Sequence, residues 1–126
     1  MRRRAVDRVV EDARADPAVL AVMLFGSAAR GEATAASDLD VCLVLAPTVT
    51  DPLEHRLRYL GRHDLDLQVF QALPLPVRSR VLKEGRVLFV RDEDALYEIA
   101  FRTIKAYEDF KHIHRMYLDA VLRDGS

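Results

Sequence analysis

Four short apolar runs alternate with helical segments along this chain, and this alternation limits what the chain can fold into. The runs have the length and composition of β-strands, and they cover residues 19–26, 38–45, 65–70 and 86–90. Helical patterns cover about residues 3–15, a segment from Asp51-Pro52 to Gly61 on which Leu53, Leu57 and Leu60 share one face, and a shorter segment between Pro74 and Gly85. Strands that alternate with helices in a small chain predict a single sheet covered by helices. With 126 residues, we expect one domain over 1–126.

The composition is that of an ordinary globular protein. Hydrophobic residues make up 50% of the chain and charged residues 31%, so the chain is not of a disordered class. The formal net charge is −1, from 19 basic and 20 acidic residues, which argues against direct nucleic-acid binding. No stretch approaches the roughly 20 apolar residues of a membrane span, and no apolar core follows the charged start. We therefore expect a cytoplasmic protein without a membrane partner, in which the single cysteine, Cys42, is buried.

The last predicted element is a helix over about residues 92–123, with Asp92 as its N-terminal cap. Apolar residues recur along it at helical spacing and form one continuous stripe: Leu96, Ile99, Ala100, Thr103, Ile104, Tyr107, Phe110, His114, Tyr117, Leu118 and Val121. A helix of about 30 residues is roughly 45 Å long. We expect its first half to pack on the sheet.

A turn between Gly26 and Gly31 follows the first strand. Its spacing is that of a P-loop, but a P-loop needs Lys and then Ser or Thr after the second glycine, and Glu32 and Ala33 stand there. What remains is a strand that ends in Gly26-Ser27. Such a turn can bring backbone amides and a hydroxyl close to a phosphate, although most Gly-Ser turns after a strand are only turns.

Asp38 and Asp40 begin the second strand. Residues two apart in a strand face the same side, so both carboxylates project together while Leu39, Val41 and Leu43 face the other way. Two such carboxylates can share one or two divalent cations, and Mg²⁺ completes its coordination with water and substrate phosphates. The alternative is that Asp38 caps a turn and Asp40 is a solvated edge residue. The preceding Gly-Ser turn favours the metal site.

A third acid stands at the start of the next strand. Asp66 shares a face with Gln68 and Phe70, and we expect this strand to pair beside the second. A carboxylate there could ligate the metal and accept the proton of an attacking hydroxyl. Asp64 lies on the same face but further out, so we favour Asp66.

The segment "FGSAARGEATAASDLDV" followed by "DLQVF" resembles the minimal nucleotidyltransferases (MNT proteins) of the DNA polymerase β-like superfamily. The resemblance covers about residues 18–90 and implies an α+β fold with a mixed sheet of about four strands, covered by helices and followed by a long C-terminal helix. It implies that Gly26 and Ser27 hold the terminal phosphates of ATP, and that Asp38, Asp40 and Asp66 are the catalytic residues and bind Mg²⁺ or Mn²⁺. Arg30 stands where these proteins often have Arg and is a candidate phosphate contact; the alternative is a surface salt bridge.

The resemblance also implies a partner and a reaction. Similar MNT proteins are antitoxins that transfer AMP from ATP to a tyrosine of a HEPN-family toxin, with which they form a hetero-oligomer. Two alternatives stay open: an antitoxin that neutralises its toxin by binding alone, and a transferase that modifies a small molecule such as an antibiotic.

Overall fold

A computed structural model of the chain describes residues 3–26 and 40–124. Three of the predicted site residues, Ser27, Arg30 and Asp38, lie outside the described residues. Gly26, Asp40 and Asp66 lie within them.

The described elements follow the predicted alternation of helices and strands. In chain order they are α1 (Arg3–Ala15), β1 (Val19–Phe25), β2 (Asp40–Leu45), α2 (Pro52–Arg62), β3 (Asp66–Val69), a short 3₁₀ turn (Phe70–Ala72), α3 (Leu75–Glu84), β4 (Arg86–Val90) and α4 (Glu93–Asp124). Asp51 caps α2, because its carboxylate accepts a hydrogen bond from the backbone amide of Glu54 at 3.1 Å.

The described strands form one mixed sheet with the order β3-β2-β1-β4. β1 pairs antiparallel with both β2 and β4, whereas β2 and β3 run parallel. The α+β class, the mixed four-stranded sheet and the long C-terminal helix are therefore confirmed. The parallel pair places the first residues of β2 and β3 side by side, at the same end of the sheet.

Helices cover both faces of the sheet and create two clusters of buried side chains. On one face, Val9 of α1 and Tyr59 of α2 pack with Leu43 of β2. On the other face, Val81 of α3 packs with Cys42 of β2. Because side chains alternate along a strand, Asp40 shares its face with Cys42 and therefore lies on the side of the sheet that α3 covers.

The predicted apolar face of α2 is only partly used. Leu60 packs against the core, but Leu53 and Leu57 are each 59% exposed. The helix instead turns Tyr59 inward, and the Tyr59 hydroxyl donates a hydrogen bond to Asp16 at 3.0 Å. The orientation of α2 is thus set by a buried aromatic ring with a polar partner rather than by its leucines.

The stripe on α4 divides in two. Leu96 and Ile99 pack against the cluster on the α3 face, and Thr103 is buried, as expected for the first half. Farther along, the large apolar side chains are between 44% and 71% exposed, and they include Phe110, Ile113, Met116, Tyr117, Leu118, Val121 and Leu122. Among residues 3–26 and 40–124, the structure contains no helix with the length and apolarity to cross a membrane.

Candidate active site

The end of β1 and the start of β2 bring Gly26 and Asp40 together. Asp40 lies opposite Phe25 in the antiparallel pair, and Gly26 follows with a φ of +77°. A Cβ atom at Gly26 would collide with Oδ2 of Asp40 and lie 3.4 Å from its Cγ. Glycine is therefore needed twice: for the left-handed backbone conformation and for the close approach of the carboxylate. Asp40 is half-buried, and its carboxylate lies against the backbone of Gly26.

Asp40 and Asp66 are register partners in the parallel pair of β2 and β3. Adjacent strands are about 4.8 Å apart, so two carboxylates at one register position are neighbours. Both residues also occupy the same parity in their strands, since Val41 and Leu67, which follow them, are buried in the opposite cluster. Asp40 and Asp66, which a whole helix separates in the sequence, are thus neighbours at one end of the sheet.

Asp66 has a side-chain partner on its own strand. Nε2 of Gln68 donates a hydrogen bond to Oδ1 of Asp66 at 3.1 Å. This bond holds an otherwise exposed carboxylate in one orientation. Asp64 lies in the bend before β3, two residues outside the register with Asp40. The expected face of Gln68 was correct, but no role for this residue was predicted.

A cavity of about 350 Å³ opens beside Gly26 and Asp40. One wall is the end of β1 and the start of β2, and the other is α3; the lining residues are Phe25, Gly26, Asp40, Val77, Arg80, Val81 and Glu84. The residues of α3 that line the cavity are spaced three or four apart, so they form one helical face. The sequence pattern did not predict that Arg80 and Glu84 belong to the site. Their spacing from Val77 and Val81 was the available signal, but the sequence does not reveal which element this face meets.

The donor set fits a hard divalent cation. Mg²⁺ prefers carboxylate oxygens and usually takes only one or two protein carboxylates, with water and phosphate oxygens completing its octahedron. Asp40 and Asp66 supply such a pair, and a cation between them would remove their mutual repulsion. In the described ranges, no group of three or more His, Cys, Asp or Glu side chains is arranged to hold a metal. Burial raises the pKa of the Cys42 thiol to about 12, so this neighbour of Asp40 is a neutral thiol and a poor metal ligand.

Solved structures with the same fold include two toxin–antitoxin complexes. A chain in the crystal structure of a toxin–antitoxin with AMP-PNP superimposes with a TM-score of 0.68 and 21% identity, over 97% of this chain and 99% of that chain. A chain in the structure of a tri-AMPylated Shewanella oneidensis HEPN toxin in complex with its MNT antitoxin gives a TM-score of 0.63 and 20% identity, over 97% of this chain and 99% of that chain. At these identities the similarity establishes the fold.

Sequence comparison identifies the family. The sequence model described as "Polymerase beta, Nucleotidyltransferase" matches residues 8–94. MJ1547 of Methanocaldococcus jannaschii, which bears the provisional name protein adenylyltransferase, is 33% identical over 95 residues, which are 74% of this chain and 73% of the relative. The region that the family model matches contains both acids of the parallel pair and Gly26 beside them. The chain therefore belongs to the polymerase beta nucleotidyltransferase family.

Proposed function

We propose that this protein transfers AMP from ATP to a tyrosine hydroxyl of a HEPN-family toxin in the cytoplasm and so acts as its antitoxin. The observation that carries the proposal is the register pair of Asp40 and Asp66 next to Gly26, in which Asp40 lines a cavity. Family membership supports the reaction class. The similarity to an MNT antitoxin in complex with an AMPylated HEPN toxin supports the choice of partner.

In this proposal, the turn that begins at Gly26 holds the phosphates of ATP. Gly26 allows the close approach, and the resemblance to MNT proteins adds Ser27 and Arg30 as phosphate contacts. Asp40 and Asp66, with Asp38 as the third acid of the same family pattern, hold Mg²⁺ or Mn²⁺. When bound, the cation neutralises phosphate charge and stabilises the entering and leaving oxygens.

The proposed reaction is an in-line displacement at the α-phosphorus of ATP. The tyrosine oxygen forms the new O–P bond, the bond from the α-phosphorus to the bridging oxygen breaks, and pyrophosphate leaves with that oxygen. The phenolic proton passes to Asp66, whose carboxylate is oriented by the hydrogen bond from Gln68. Asp66 then releases this proton to solvent and returns to the carboxylate form before the next cycle.

The second half of α4 offers a surface for a protein acceptor. Its apolar side chains are exposed over several helical turns, from Phe110 to Leu122. Contiguous exposed apolar side chains of this extent are typical of protein–protein contact sites. In the proposed hetero-oligomer, the toxin covers this surface and presents its tyrosine to the acid pair.

The test uses the cognate HEPN-family protein, purified alone and incubated with this chain, ATP and Mg²⁺. At one molecule of this chain per ten to one hundred of the partner, we expect nearly all of the partner to gain AMP on tyrosine. The modified partner should stay inactive after this chain is removed, because a phosphodiester does not dissociate. The folded variant Asp38→Asn/Asp40→Asn is the control and should neither modify nor neutralise the partner at this ratio.

Each alternative gives a different result. Neutralisation only at equal ratio, with no mass change and with full recovery after separation, would mean that the chain acts by binding alone. Transfer of AMP to a small hydroxyl compound but not to the HEPN-family protein would mean that the acceptor class is wrong.

A further inference from the structure

The cavity beside the acid pair has one basic side chain among the residues that line it, Arg80 of α3. The other charged residues that line it are Asp40 and Glu84, both acidic. Within the two ranges that the structure describes, no hydrogen bond or ion pair involves the guanidinium of Arg80, although Arg58 and Arg102 on other helices pair with a glutamate one turn away. An arginine beside two acids in a cavity, without an ion pair of its own in the described chain, is available for an anionic ligand.

The position of Arg80 is fixed by the packing of its helix. Val77 and Val81, which flank Arg80 on α3, pack in the cluster that contains Met23 and Phe25 of β1. At the end of α3, the amide of Gly85 donates a hydrogen bond to the carbonyl of Val81 at 2.8 Å. The packing of α3 against β1 therefore fixes the position of the Arg80 backbone relative to the end of β1.

The geometry of an in-line displacement indicates which part of ATP lies near Arg80. Asp66 does not line the cavity, since it lies across β2, on the side of Asp40 away from β1. In an in-line displacement, the attacking and leaving oxygens lie on opposite sides of the phosphorus. If the hydroxyl loses its proton to Asp66 on one side, the pyrophosphate leaves on the opposite side, toward the cavity and α3.

We propose that Arg80 binds the β- and γ-phosphates of ATP and stabilises the pyrophosphate as it leaves. This inference rests on the proposed nucleotidyl transfer and assigns a residue outside the acid pair and the glycine turn. A planar guanidinium can donate two parallel hydrogen bonds to phosphate oxygens, which an ammonium group cannot do. Without Arg80, no basic side chain would line the described part of the cavity.

The test compares Arg80→Met and Arg80→Lys with the wild type in calorimetric titrations of the isolated chain. Methionine has nearly the helix propensity of arginine, and Arg80 is exposed, so we expect Arg80→Met to fold. Lys83→Met is the matched control, because it removes one positive charge from the same helix and Lys83 lines a neighbouring cavity that the acid pair does not reach. The probes are AMP-PNP, inorganic pyrophosphate and AMP, each with Mg²⁺.

Because Arg80 is exposed, we count its contact as about one charge-assisted hydrogen bond. Its loss should weaken AMP-PNP and pyrophosphate binding by roughly 10- to 100-fold in Arg80→Met, and AMP binding by less than about threefold. Arg80→Lys should recover part of the loss, and Lys83→Met should bind all three within about twofold of the wild type. Unchanged pyrophosphate binding in Arg80→Met, or an equal loss in Lys83→Met, would overturn the inference.

These titrations need no acceptor, so they separate this inference from the proposed function. A selective loss of pyrophosphate binding in a protein that never modifies its partner would support the role of Arg80 and contradict the antitoxin function. Normal modification of the partner, together with unaltered pyrophosphate binding in Arg80→Met, would support the antitoxin function and contradict the role of Arg80.

Discussion

Gly26→Ala tests the contact on which the candidate site is built. An alanine at φ +77° pays the cost of a left-handed conformation, roughly 1–2 kcal/mol. Its Cβ would also meet Oδ2 of Asp40, and turning that carboxylate away costs about another 0.5–1.5 kcal/mol. We expect the free energy of unfolding to fall by roughly 1.5–3.5 kcal/mol. In the proposed site, the displaced carboxylate would no longer hold the metal, so stabilisation of the fold by Mg²⁺-ATP should fall as well.

The measurement is urea denaturation with and without Mg²⁺-ATP. Gly61→Ala is the matched control, because Gly61 lies within α2 with open space around it, and alanine there should stabilise the fold by about 0.5–1 kcal/mol. In an Asp40→Ala background the collision is absent, so Gly26→Ala should cost about 0.5–1.5 kcal/mol less than in the wild type. An equal cost in both backgrounds would refute the close approach of Asp40 to the turn.

Three further predictions test the site and the fold around it. Because Asp38 and Asp40 would still hold Mg²⁺-ATP in the proposed site, Asp66→Asn should leave Mg²⁺-ATP binding within a few-fold of the wild type. It should lower turnover by roughly 10²–10⁴-fold, as for a lost base; unchanged turnover would exclude Asp66 from this role. Arg91→Met should lower the free energy of unfolding by about 1–2 kcal/mol, because the guanidinium donates to four backbone carbonyls, three at the end of α1 and just beyond it and one at the start of β1, at distances from 2.7 to 3.2 Å. A loss below about 0.3 kcal/mol in urea denaturation would contradict this. Cys42 should resist a thiol reagent at pH 8 until the protein unfolds, since burial raises its pKa to about 12. For the same reason stability should decline as pH rises above the ordinary thiol value of about 8.5, where the unfolded chain ionises first; rapid labelling of the native protein would refute the burial.

Much of the fold could be predicted from local pattern. The four apolar runs gave the strands, and Asp51-Pro52 and Gly85 gave helix ends, because these signals depend on neighbours in sequence. The exposed Leu53 and Leu57 show the limit of the method. Which face of α2 is buried depends on Asp16, a partner 43 residues from Tyr59, and periodicity alone does not contain that information.

The site divides in the same way. The proximity of Asp40 and Asp66 was predictable once their strands were expected to be neighbours, since the first residues of adjacent parallel strands lie side by side. Arg80 and Glu84 were not predictable, because their relation to Gly26 depends on how α3 lies across the sheet. That placement results from the packing of Val77 and Val81 with β1, a contact between distant parts of the chain.

The most direct test of the account is the fate of the two ends of ATP. The HEPN-family partner is incubated with this chain, Mg²⁺ and ATP that carries a radiolabel at either the α- or the γ-phosphorus. Nucleotidyl transfer at the acid pair predicts that the partner retains the α-label and none of the γ-label, with one pyrophosphate released for each AMP transferred. Label retained from the γ-phosphorus, or no label from either position with active wild-type protein, would contradict it.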